Sequence, residues 1–546
     1  MLRNVITVII LVLIIFSCRD HKNIYDMDQC EHAVLFPDYQ DIKEVEPHFI
    51  ITPDEEIVFS ANCNGRFKLI EYDNDSIEEL NIDYDYIINP VLIQDEVAGL
   101  WDQNSNEKYR FTSSKIDAFL NSQPIRSALS SPNGNFLLYI PKNRNDLHLL
   151  DPDSMDDVFI SRSVAKTNHI CFDKLESYFV FPQNNKVFQY DITEKRLREI
   201  ITGLGDKKLN LFTIDDELYF VNNDTSEFYN IYKCDLKDSV QKAKLVLSLN
   251  HDLRLPKWHG RRLFFIKVVN GEYLLHYRDL ENGDIEQLTD KGVVYDYQFY
   301  MDKIVFTYSD FSTPKCLRSI DIYTSEIKTL FGSEEELGLG YTYIKKSPER
   351  SGAYIFSPPD SVNTKGTVLF IHAGLHSDFS PRWEYMLMGL CLNGYRIISP
   401  NYPGSCGYGK SYRSKDLNEA LWDLVLWRKH IVEIFGDTPI YCLSVSSGNV
   451  LMEYFLLAES DEIEAAVSFI GVPSGREPEY HCPVLYILGE NDPTVNFNAR
   501  KNQLMHSKSQ KVMIKSYPDE GHGIRKPSNK KDLIESIVCF LELKRK

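Results

Sequence analysis

The stretch Pro439-Ile-Tyr-Cys-Leu-Ser-Val-Ser446-Ser-Gly-Asn-Val-Leu451 decides how the second half of this chain is interpreted. A short apolar run ends in a cluster of small residues and passes directly into a helix-like stretch, which is the pattern of a strand, a sharp turn and a helix. Ser446 occupies the apex in the frame Ser444-Val-Ser446-Ser-Gly448, which differs from G-x-S-x-G in its first residue. The small neighbours allow a strained backbone that would expose the serine hydroxyl, so the stretch predicts a candidate nucleophile.

The chain on both sides of this turn alternates between apolar strands and amphipathic helices. The predicted strands are 367–372, 395–399, 465–472, 484–488 and 511–517, and the predicted helices are 383–392, 418–435 and 530–543. Such alternation is typical of a mostly parallel sheet that is covered by helices on both faces. We therefore expect a doubly wound α/β domain over residues 336–546.

Two further residues with suitable chemistry follow strands of this predicted sheet. Asp492 comes after the strand at 484–488, and His522 comes after the strand at 511–517. Working residues collect at the carboxyl ends of parallel strands, and the order Ser446, Asp492, His522 is the chain order of an α/β-hydrolase triad. We expect His522 to act as the base for the Ser446 hydroxyl, and Asp492 to orient the imidazole.

Neighbouring residues offer alternatives for two of these roles. Glu490 is the alternative to Asp492 as the acid. Ser444 and Ser447 are the alternatives to Ser446 as the nucleophile, although neither has Gly448 two residues further along the chain.

The chain ahead of this domain, residues 51–335, repeats with a period of about forty residues. Each unit has a polar turn followed by a short aromatic or β-branched run, and these runs begin at Ile57, Val97, Phe136, Tyr178, Leu218, Leu263 and Ile304. A second marker is an aspartate that ends a later strand, at Asp73, Asp151, Asp191, Asp235, Asp279 and Asp321. A strand-rich repeat of this length predicts a β-propeller of seven blades, with an irregular β-sandwich array as the alternative.

Length and charge limit the possible functions. At 546 residues the chain is longer than one hydrophobic core usually supports, which favours two domains. The formal net charge of −19, without a basic stripe, argues against a nucleic-acid partner. The eleven cysteines form no CxxC pair and no histidine cluster has metal-binding spacing, so we expect neither a metal site nor a cofactor.

Residues 1–18 have the pattern of an export signal. Arg3 precedes an apolar run from Val5 to Phe16, too short to span a bilayer comfortably, and the run ends in Ser17-Cys18. This ending resembles a bacterial lipoprotein signal, which would make Cys18 a lipidated N-terminus, residues 19–50 a tether with an N-terminal segment, and the bacterial cell envelope the location. An ordinary cleaved signal or an uncleaved anchor is the alternative.

The combination of repeat, turn and triad order resembles the prolyl oligopeptidase family of serine peptidases over nearly everything after residue 50. The resemblance is carried by Phe370-Ile-His372-Ala-Gly374, by Asn401-Tyr-Pro-Gly-Ser-Cys-Gly-Tyr408-Gly409, by the turn at Ser446, and by Asp492-Pro-Thr-Val495 with Gly521-His522-Gly523. Members place a seven- or eight-bladed propeller before an α/β-hydrolase domain. The resemblance implies that Tyr408 and the backbone N–H of Ser447 form an oxyanion hole, and that Val495 lines the substrate pocket.

Several positions depart from the family pattern. They are Ala373 and Ser444 in place of glycines, Pro403 in place of an arginine, Ser447 where many members carry an aromatic residue, and Asn449 in place of a glycine. These departures alter the pocket and leave the three candidate catalytic residues in place.

The resulting hypothesis is a membrane-anchored serine peptidase that hydrolyses short peptides through an acyl-enzyme, with the propeller limiting access. An esterase or deacylase that acts on non-peptide esters uses the same machinery and is one alternative. A catalytically weak binding homologue is the other.

Overall fold

The computed structural model describes residues 42–543 apart from short segments. These segments are 64–65, 74–75, 83–86, 95, 102–108, 121–122, 143, 165–166, 203–209, 238–242, 334–338, 348–349, 375, 477–479 and 508–511. The predicted signal at 1–18, with Cys18, and most of the predicted tether lie outside the described residues. Within the described part of the chain, no helix is long and apolar enough to cross a membrane.

The first part of the chain folds into small antiparallel sheets that follow one another along the sequence. The first three sheets contain β1 (Val45–Ile51), β2 (Ile57–Cys63), β3 (Arg66–Asp73) and β4 (Ser76–Glu79); β5 (Ile87–Ile93), β6 (Glu96–Trp101) and β7 (Arg110–Phe111); and β8 (Ile125–Ser130), β9 (Leu137–Pro141), β10 (Leu147–Asp151) and β11 (Asp156–Ser161). The next two sheets contain β12 (Cys171–Phe172), β13 (Tyr178–Gln183), β14 (Lys186–Asp191) and β15 (Arg196–Ile201); and β16 (Phe212–Ile214), β17 (Glu217–Asn222), β18 (Asn230–Asp235) and β19 (Lys244–Leu247). In the last sheet, β20 (Leu253–His259), β21 (Arg262–Val269), β22 (Glu272–Asp279) and β23 (Ile285–Gln287) are joined to β24 (Val293–Tyr300), β25 (Lys303–Ser309), β26 (Cys316–Asp321) and β27 (Ile327–Phe331). A short helix α1 (Ser114–Phe119) and a 3₁₀ turn (Thr167–His169) lie between strands.

Both repeat markers fall at fixed positions in these sheets. Each predicted run begins within one residue of the start of a second strand, namely β2, β6, β9, β13, β17, β21 or β25. Each marker aspartate is the last residue of a third strand. At Asp321, for example, Oδ1 accepts hydrogen bonds from the N–H groups of Tyr323 at 2.9 Å and Thr324 at 2.8 Å. Asp151, Asp191, Asp235 and Asp279 likewise accept from backbone N–H groups two or three residues further on, so these five aspartates end their strands by starting a turn, as the sequence predicts.

The two ends of this array of sheets meet. The Val45 N–H donates to the Lys315 carbonyl at 2.8 Å, and the rings of Phe59 and Phe331 lie 5.1 Å apart. Closure is the arrangement of a propeller, whose sheets would otherwise end in open edges. The number of seven blades stays a prediction.

The first strand begins ahead of residue 51, where the propeller is predicted to start. Strand β1 begins at Val45 and pairs with β2, so part of the predicted tether belongs to the first sheet. Pro47 and a shift in register between Val45 and Phe49 break the regular alternation that identifies a strand in sequence.

The second part of the chain is a predominantly parallel sheet in the order β28-β29-β31-β30-β32-β33-β34-β35. Its strands are β28 (Tyr341–Ile344), β29 (Ala353–Phe356), β30 (Gly366–Ile371), β31 (Tyr395–Pro400), β32 (Ile440–Val445), β33 (Ala465–Phe469), β34 (Val484–Gly489) and β35 (Val512–Tyr517). Its helices are α2 (Tyr385–Leu392), α3 (Lys410–Arg413), α4 (Leu417–Phe435), α5 (Gly448–Glu459), α6 (Phe497–Met505) and α7 (Pro527–Leu543), with a 3₁₀ turn at Ser460–Glu462.

Helices cover both faces of this sheet, as expected for a doubly wound domain. One buried cluster joins the sheet to α2 and α7. A second cluster, on the other face, joins it to α4, α5 and α6. Strands β30 and β34 are buried along their whole length, which explains their uninterrupted apolar sequences.

The propeller contacts the segment that follows β30. The Tyr273 hydroxyl donates to the Asp378 carboxylate at 2.9 Å, and the Trp383 N–H donates to Ser309 Oγ at 2.9 Å. At Gly271, an added Cβ would lie 2.4 Å from the carbonyl oxygen of Phe379, so only glycine allows this close approach. The propeller therefore helps to position the segment that follows β30. This segment begins at the same end of the parallel strands as the turn that follows β32.

Candidate active site

Ser446 lies in a strained turn between β32 and α5. Its φ of 50° is in the left-handed region, which residues other than glycine seldom adopt. The turn is held from outside, because the Ser446 N–H donates to the Phe469 carbonyl at 3.0 Å and its carbonyl accepts from the Val472 N–H at 2.9 Å. Such strain persists only where surrounding contacts compensate it.

Gly448 allows α5 to start directly against the central strand. A Cβ at this position would lie 2.4 Å from the carbonyl oxygen of His372 and 2.7 Å from that of Ile371. These distances are too short for any side chain, so the glycine two residues after Ser446 is a steric requirement. The close contact lifts the turn above the end of β32.

Ser446, His522 and Asp492 form a continuous hydrogen-bonded chain. Ser446 Oγ lies 2.8 Å from His522 Nε2, and His522 Nδ1 lies 2.8 Å from Asp492 Oδ2. Asp492 is 2% exposed and His522 is 16% exposed. Because a carboxylate only accepts hydrogen bonds, Nδ1 carries the proton and Nε2 is free to accept from the serine hydroxyl. This arrangement can take a proton from Ser446 as its oxygen attacks a carbonyl carbon.

The second oxygen of Asp492 is held by its own loop. Oδ1 accepts from the N–H groups of Thr494 at 2.7 Å and Val495 at 2.9 Å. Gly489 lets the histidine loop approach, since a Cβ there would lie 2.1 Å from the Gly521 carbonyl oxygen. The carboxylate is thereby oriented on both sides.

The competing residues have other partners. Glu490 is exposed and accepts from the Ser516 hydroxyl at 2.8 Å. Ser444 is buried and donates to Asn449 Oδ1 at 3.5 Å. Ser447 is partly buried, and its Oγ lies 3.8 Å from the position of a Cβ built at Gly374. Among these residues and Ser446, the described hydrogen bonds join only Ser446 to His522.

The Tyr408 hydroxyl, predicted to be an oxyanion donor, has a polar partner within the protein. This hydroxyl accepts from Asn401 Nδ2 at 2.8 Å. Burial raises the pKa of this phenol well above its ordinary value. Because the phenol oxygen accepts the bond from Asn401, its own proton can still be donated, and the oxyanion role stays a prediction.

Val495 is buried, at 4% exposure. Its backbone N–H donates a hydrogen bond to Asp492 Oδ1. Its predicted place in the substrate pocket stays a prediction.

His372 is a part of the site to which the sequence assigned no role. The ring is buried, stacks on Tyr402 at 4.2 Å, and its Nε2 lies 3.0 Å from Ser405 Oγ. The Tyr402 hydroxyl donates to the His372 carbonyl at 2.8 Å. Burial lowers the pKa of His372 to about 4, so the ring is neutral at ordinary pH. It fixes the loop Ala373–Gly374, which lies beside Ser447.

A buried ion pair beneath the turn is a second feature that the sequence did not reveal. Glu453 of α5 binds Arg500 of α6, and the two side chains are 2% and 1% exposed. Glu453 also accepts from Asn449 Nδ2 at 2.9 Å and from the Ser474 N–H at 3.0 Å. Asn449 Nδ2 donates in addition to the Val472 carbonyl at 2.8 Å. The pair thus connects α5, the segment after β33, and the helix that follows the Asp492 loop.

No group of histidine, cysteine, aspartate and glutamate side chains with metal-binding geometry occurs among the described residues.

Comparison with known proteins shows likeness at two levels. Residues 450–537, from α5 to α7, match the dienelactone hydrolase family. The whole fold is similar to that of a Mycobacterium tuberculosis puromycin-hydrolysing peptidase, with a TM-score of 0.75 at 15% identity, covering 94% of this chain and 98% of that one.

Two further solved structures have the same fold. Pyrococcus horikoshii acylaminoacyl peptidase matches with a TM-score of 0.67 at 13% identity, covering 93% of this chain and 96% of its own. Oligopeptidase B from Leishmania major matches with a TM-score of 0.72 at 12% identity, covering 92% of this chain and 87% of its own. At this level of identity, the likeness establishes the two-domain fold.

Breaking the buried ion pair should destabilise the protein strongly. Glu453→Gln and Arg500→Met each leave one buried charge without its partner, and each should lower the free energy of unfolding by about 3–5 kcal/mol. The double variant Glu453→Leu/Arg500→Met should lose less than the sum of the two. Urea unfolding measures all three, with Arg196→Met as the control because Arg196 is 67% exposed and pairs with Glu194 on the surface. Single variants that unfold at the wild-type midpoint would show that the pair is not structural.

His372 should make stability depend on pH in the acidic range. Its pKa falls from 6.5 in the unfolded chain to about 4 in the folded protein, so its contribution is complete above pH 6.5 and is lost as the pH falls towards 4. The loss amounts to about 3 kcal/mol. Urea unfolding at pH 8 and pH 5 should show a shallower pH dependence for His372→Asn than for wild type. His481→Asn, which alters a histidine that is 74% exposed, should keep the wild-type dependence; equal slopes for all three would contradict the assignment.

Proposed function

We propose that this protein is a serine hydrolase that cleaves short peptides through an acyl-enzyme on Ser446. The observation that carries the proposal is the pair of 2.8 Å contacts that link Ser446, His522 and Asp492. The turn presents the serine, and the imidazole is oriented with Nε2 towards its hydroxyl.

The reaction follows from this geometry. Ser446 Oγ attacks the substrate carbonyl carbon while its proton passes to His522 Nε2, and Asp492 stabilises the imidazolium that forms. The tetrahedral intermediate collapses to a Ser446 ester, and His522 gives the proton to the leaving amine. Water then attacks the ester with His522 again as the base, which releases the acid and restores the serine.

The oxyanion donors that we favour are backbone groups. The Ser447 N–H follows the nucleophile at the start of α5, and the loop Ala373–Gly374 lies beside Ser447. In α/β-hydrolases the oxyanion hole combines two backbone N–H groups. One belongs to the residue after the nucleophile, and the other to a loop that here corresponds to the one after β30. One such donor typically contributes about 3–4 kcal/mol to transition-state stabilisation. The Tyr408 hydroxyl accepts from Asn401 Nδ2, and its own proton can still be donated to an oxyanion, so it stays a candidate second donor.

Peptides are the favoured substrates because of the overall architecture. The three similar structures described above are named as peptidases, and the propeller here contacts the loop that leads away from Gly374. A propeller in this position would restrict the site to short or unfolded chains. The seven-bladed form and the pocket role of Val495 belong to the same proposal.

Ester hydrolysis is the second candidate function. It is favoured by the match of residues 450–537 to the dienelactone hydrolase family, whose name denotes cleavage of a cyclic ester. Comparison of kcat/KM for matched aminoacyl amides and acyl esters separates the two functions, since the same nucleophile would serve both.

A fluorophosphonate probe should label Ser446, because the probe reacts with serines that a base activates. Ser446→Ala should abolish labelling, and Asp492→Asn should slow it by about 10³–10⁴-fold since the imidazole loses its correct tautomer. Mass spectrometry of the labelled peptide should place the adduct on Ser446 rather than on Ser444 or Ser447. Ser516→Ala is the matched control and should label at the wild-type rate. Labelling that survives Ser446→Ala would refute the assignment.

We also propose that the protein is exported and anchored in the bacterial cell envelope through lipid on Cys18, on the basis of the sequence Ile-Phe-Ser-Cys at 15–18. Wild-type protein expressed in a bacterial host should fractionate with membranes. Cys18→Ala should not carry the lipid, and mass spectrometry of the N-terminal peptide measures this directly. An unmodified Cys18 in membrane-associated wild-type protein would favour an uncleaved anchor instead.

A further inference from the structure

A cavity of about 400 Å³ lies between the propeller and the catalytic domain. Its volume falls within the range of small-ligand sites. Charged side chains from both domains line it, namely Glu44, Glu46 and Lys315 from the propeller and Arg382, Glu384, Arg525 and Lys530 from the catalytic domain. Four of these are cationic and three are acidic, so the lining as a whole favours an anion.

Two of the three carboxylates in the lining contribute little free negative charge to the cavity. Glu44 lies 3.2 Å from Lys315 and is 10% exposed, so its charge is already compensated. Burial raises the pKa of Glu384, and the charge of Arg382 opposes that rise. The carboxyl of Glu384 is therefore a weak partner for a cation.

Arg382 is the cationic group that is open to a ligand. Its side chain is exposed towards the cavity. Among the described residues, no hydrogen bond or ion pair engages its guanidinium, although Glu384 and Asp378 lie near enough to influence it electrostatically. A guanidinium carries five N–H donors in a planar fork that matches a carboxylate.

Two segments in the cavity wall also lead to groups of the candidate site. Ile524 and Arg525 in its wall follow His522 closely in sequence, and the Tyr385 hydroxyl donates to the Ile524 carbonyl at 3.4 Å. Arg382 belongs to the segment that starts at Gly374, beside Ser447. A peptide bound at Ser446 would have to follow one of these segments to place an end in the cavity.

We propose that Arg382 binds a substrate carboxylate in the interdomain cavity and thereby selects short peptides with a carboxylate near the scissile bond. The inference rests on the proposed function of the Ser446 site and names the substrate class for it. The carboxylate can be the C-terminus of the peptide or an acidic side chain close to it, since both present the same two oxygens to the guanidinium.

Matched peptides distinguish the two sources. The set contains one sequence with a free C-terminus or a C-terminal amide, each with glutamine or glutamate at the residue before the end. For wild-type protein, kcat/KM should be about 10- to 100-fold higher for the peptides that carry the recognised carboxylate, as expected for a charge-assisted hydrogen bond. Preference for the free C-terminus assigns the main chain, and preference for glutamate assigns the side chain. Equal rates for all four would overturn the inference.

Arginine variants test whether Arg382 is responsible. Arg382→Gln should reduce the preference to nearly one, and Arg382→Lys should retain part of it because the charge remains while the planar fork is lost. Arg196→Gln, which removes an exposed arginine of the propeller, should keep the full preference. A preference that persists in folded Arg382→Gln would assign recognition to another group and contradict the proposal.

A binding measurement separates this inference from the proposed function. Calorimetry with Ser446→Ala protein should show about tenfold or tighter binding of the preferred carboxylate peptide over its uncharged match, and Arg382→Gln in the same background should remove the difference. Carboxylate-selective binding without turnover by wild-type protein would refute hydrolysis and keep the site. Turnover without carboxylate selectivity would support hydrolysis and refute the carboxylate site.

Discussion

The catalytic domain depends on the close contact between Gly448 and the central strand. Helix α5 starts so near β30 that a Cβ would collide with two carbonyl oxygens. The chain can leave β32 and enter this helix only through a tight turn, and Ser446 at its apex adopts a φ of 50°. The strain is balanced by hydrogen bonds to Phe469 and Val472, which belong to the neighbouring strand and to the segment that follows it.

A buried polar network supports the same turn from below. In the family that the sequence resembles, position 449 is typically glycine, and here it is an asparagine that joins α5 to the Val472 carbonyl and to Glu453. Glu453 in turn holds Arg500 on the helix that follows the Asp492 loop. Desolvating two charges is costly unless each finds complete partners, so this network restricts how α5 and α6 can move relative to each other. The described contacts of Asn449 are therefore structural ones, to Glu453 and to the Val472 carbonyl.

The propeller forms hydrogen bonds with the α/β domain. Tyr273 holds Asp378, and Ser309 accepts from the Trp383 N–H, both within the segment that leads from the loop beside Ser447 to α2. Movement between the domains would therefore move this segment and the cavity wall that includes Arg382. The contact between the domains and the position of this segment are therefore linked.

Local patterns in the sequence determined the strands, the repeat and the order of the candidate residues. A marker aspartate such as Asp321 needs only the next few N–H groups to end a strand, and alternating or continuous apolar runs report burial directly. Irregular β1 was missed because Pro47 and a bulge remove that alternation. What only the tertiary structure decided depends on residues far apart in the chain. The pairing of Glu453 with Arg500, the hydrogen bond of Tyr408 to Asn401, the buried neutral His372 and the open guanidinium of Arg382 follow from packing between elements. A side chain's direction and desolvation are properties of its neighbours in space, and no spacing in the sequence encodes them.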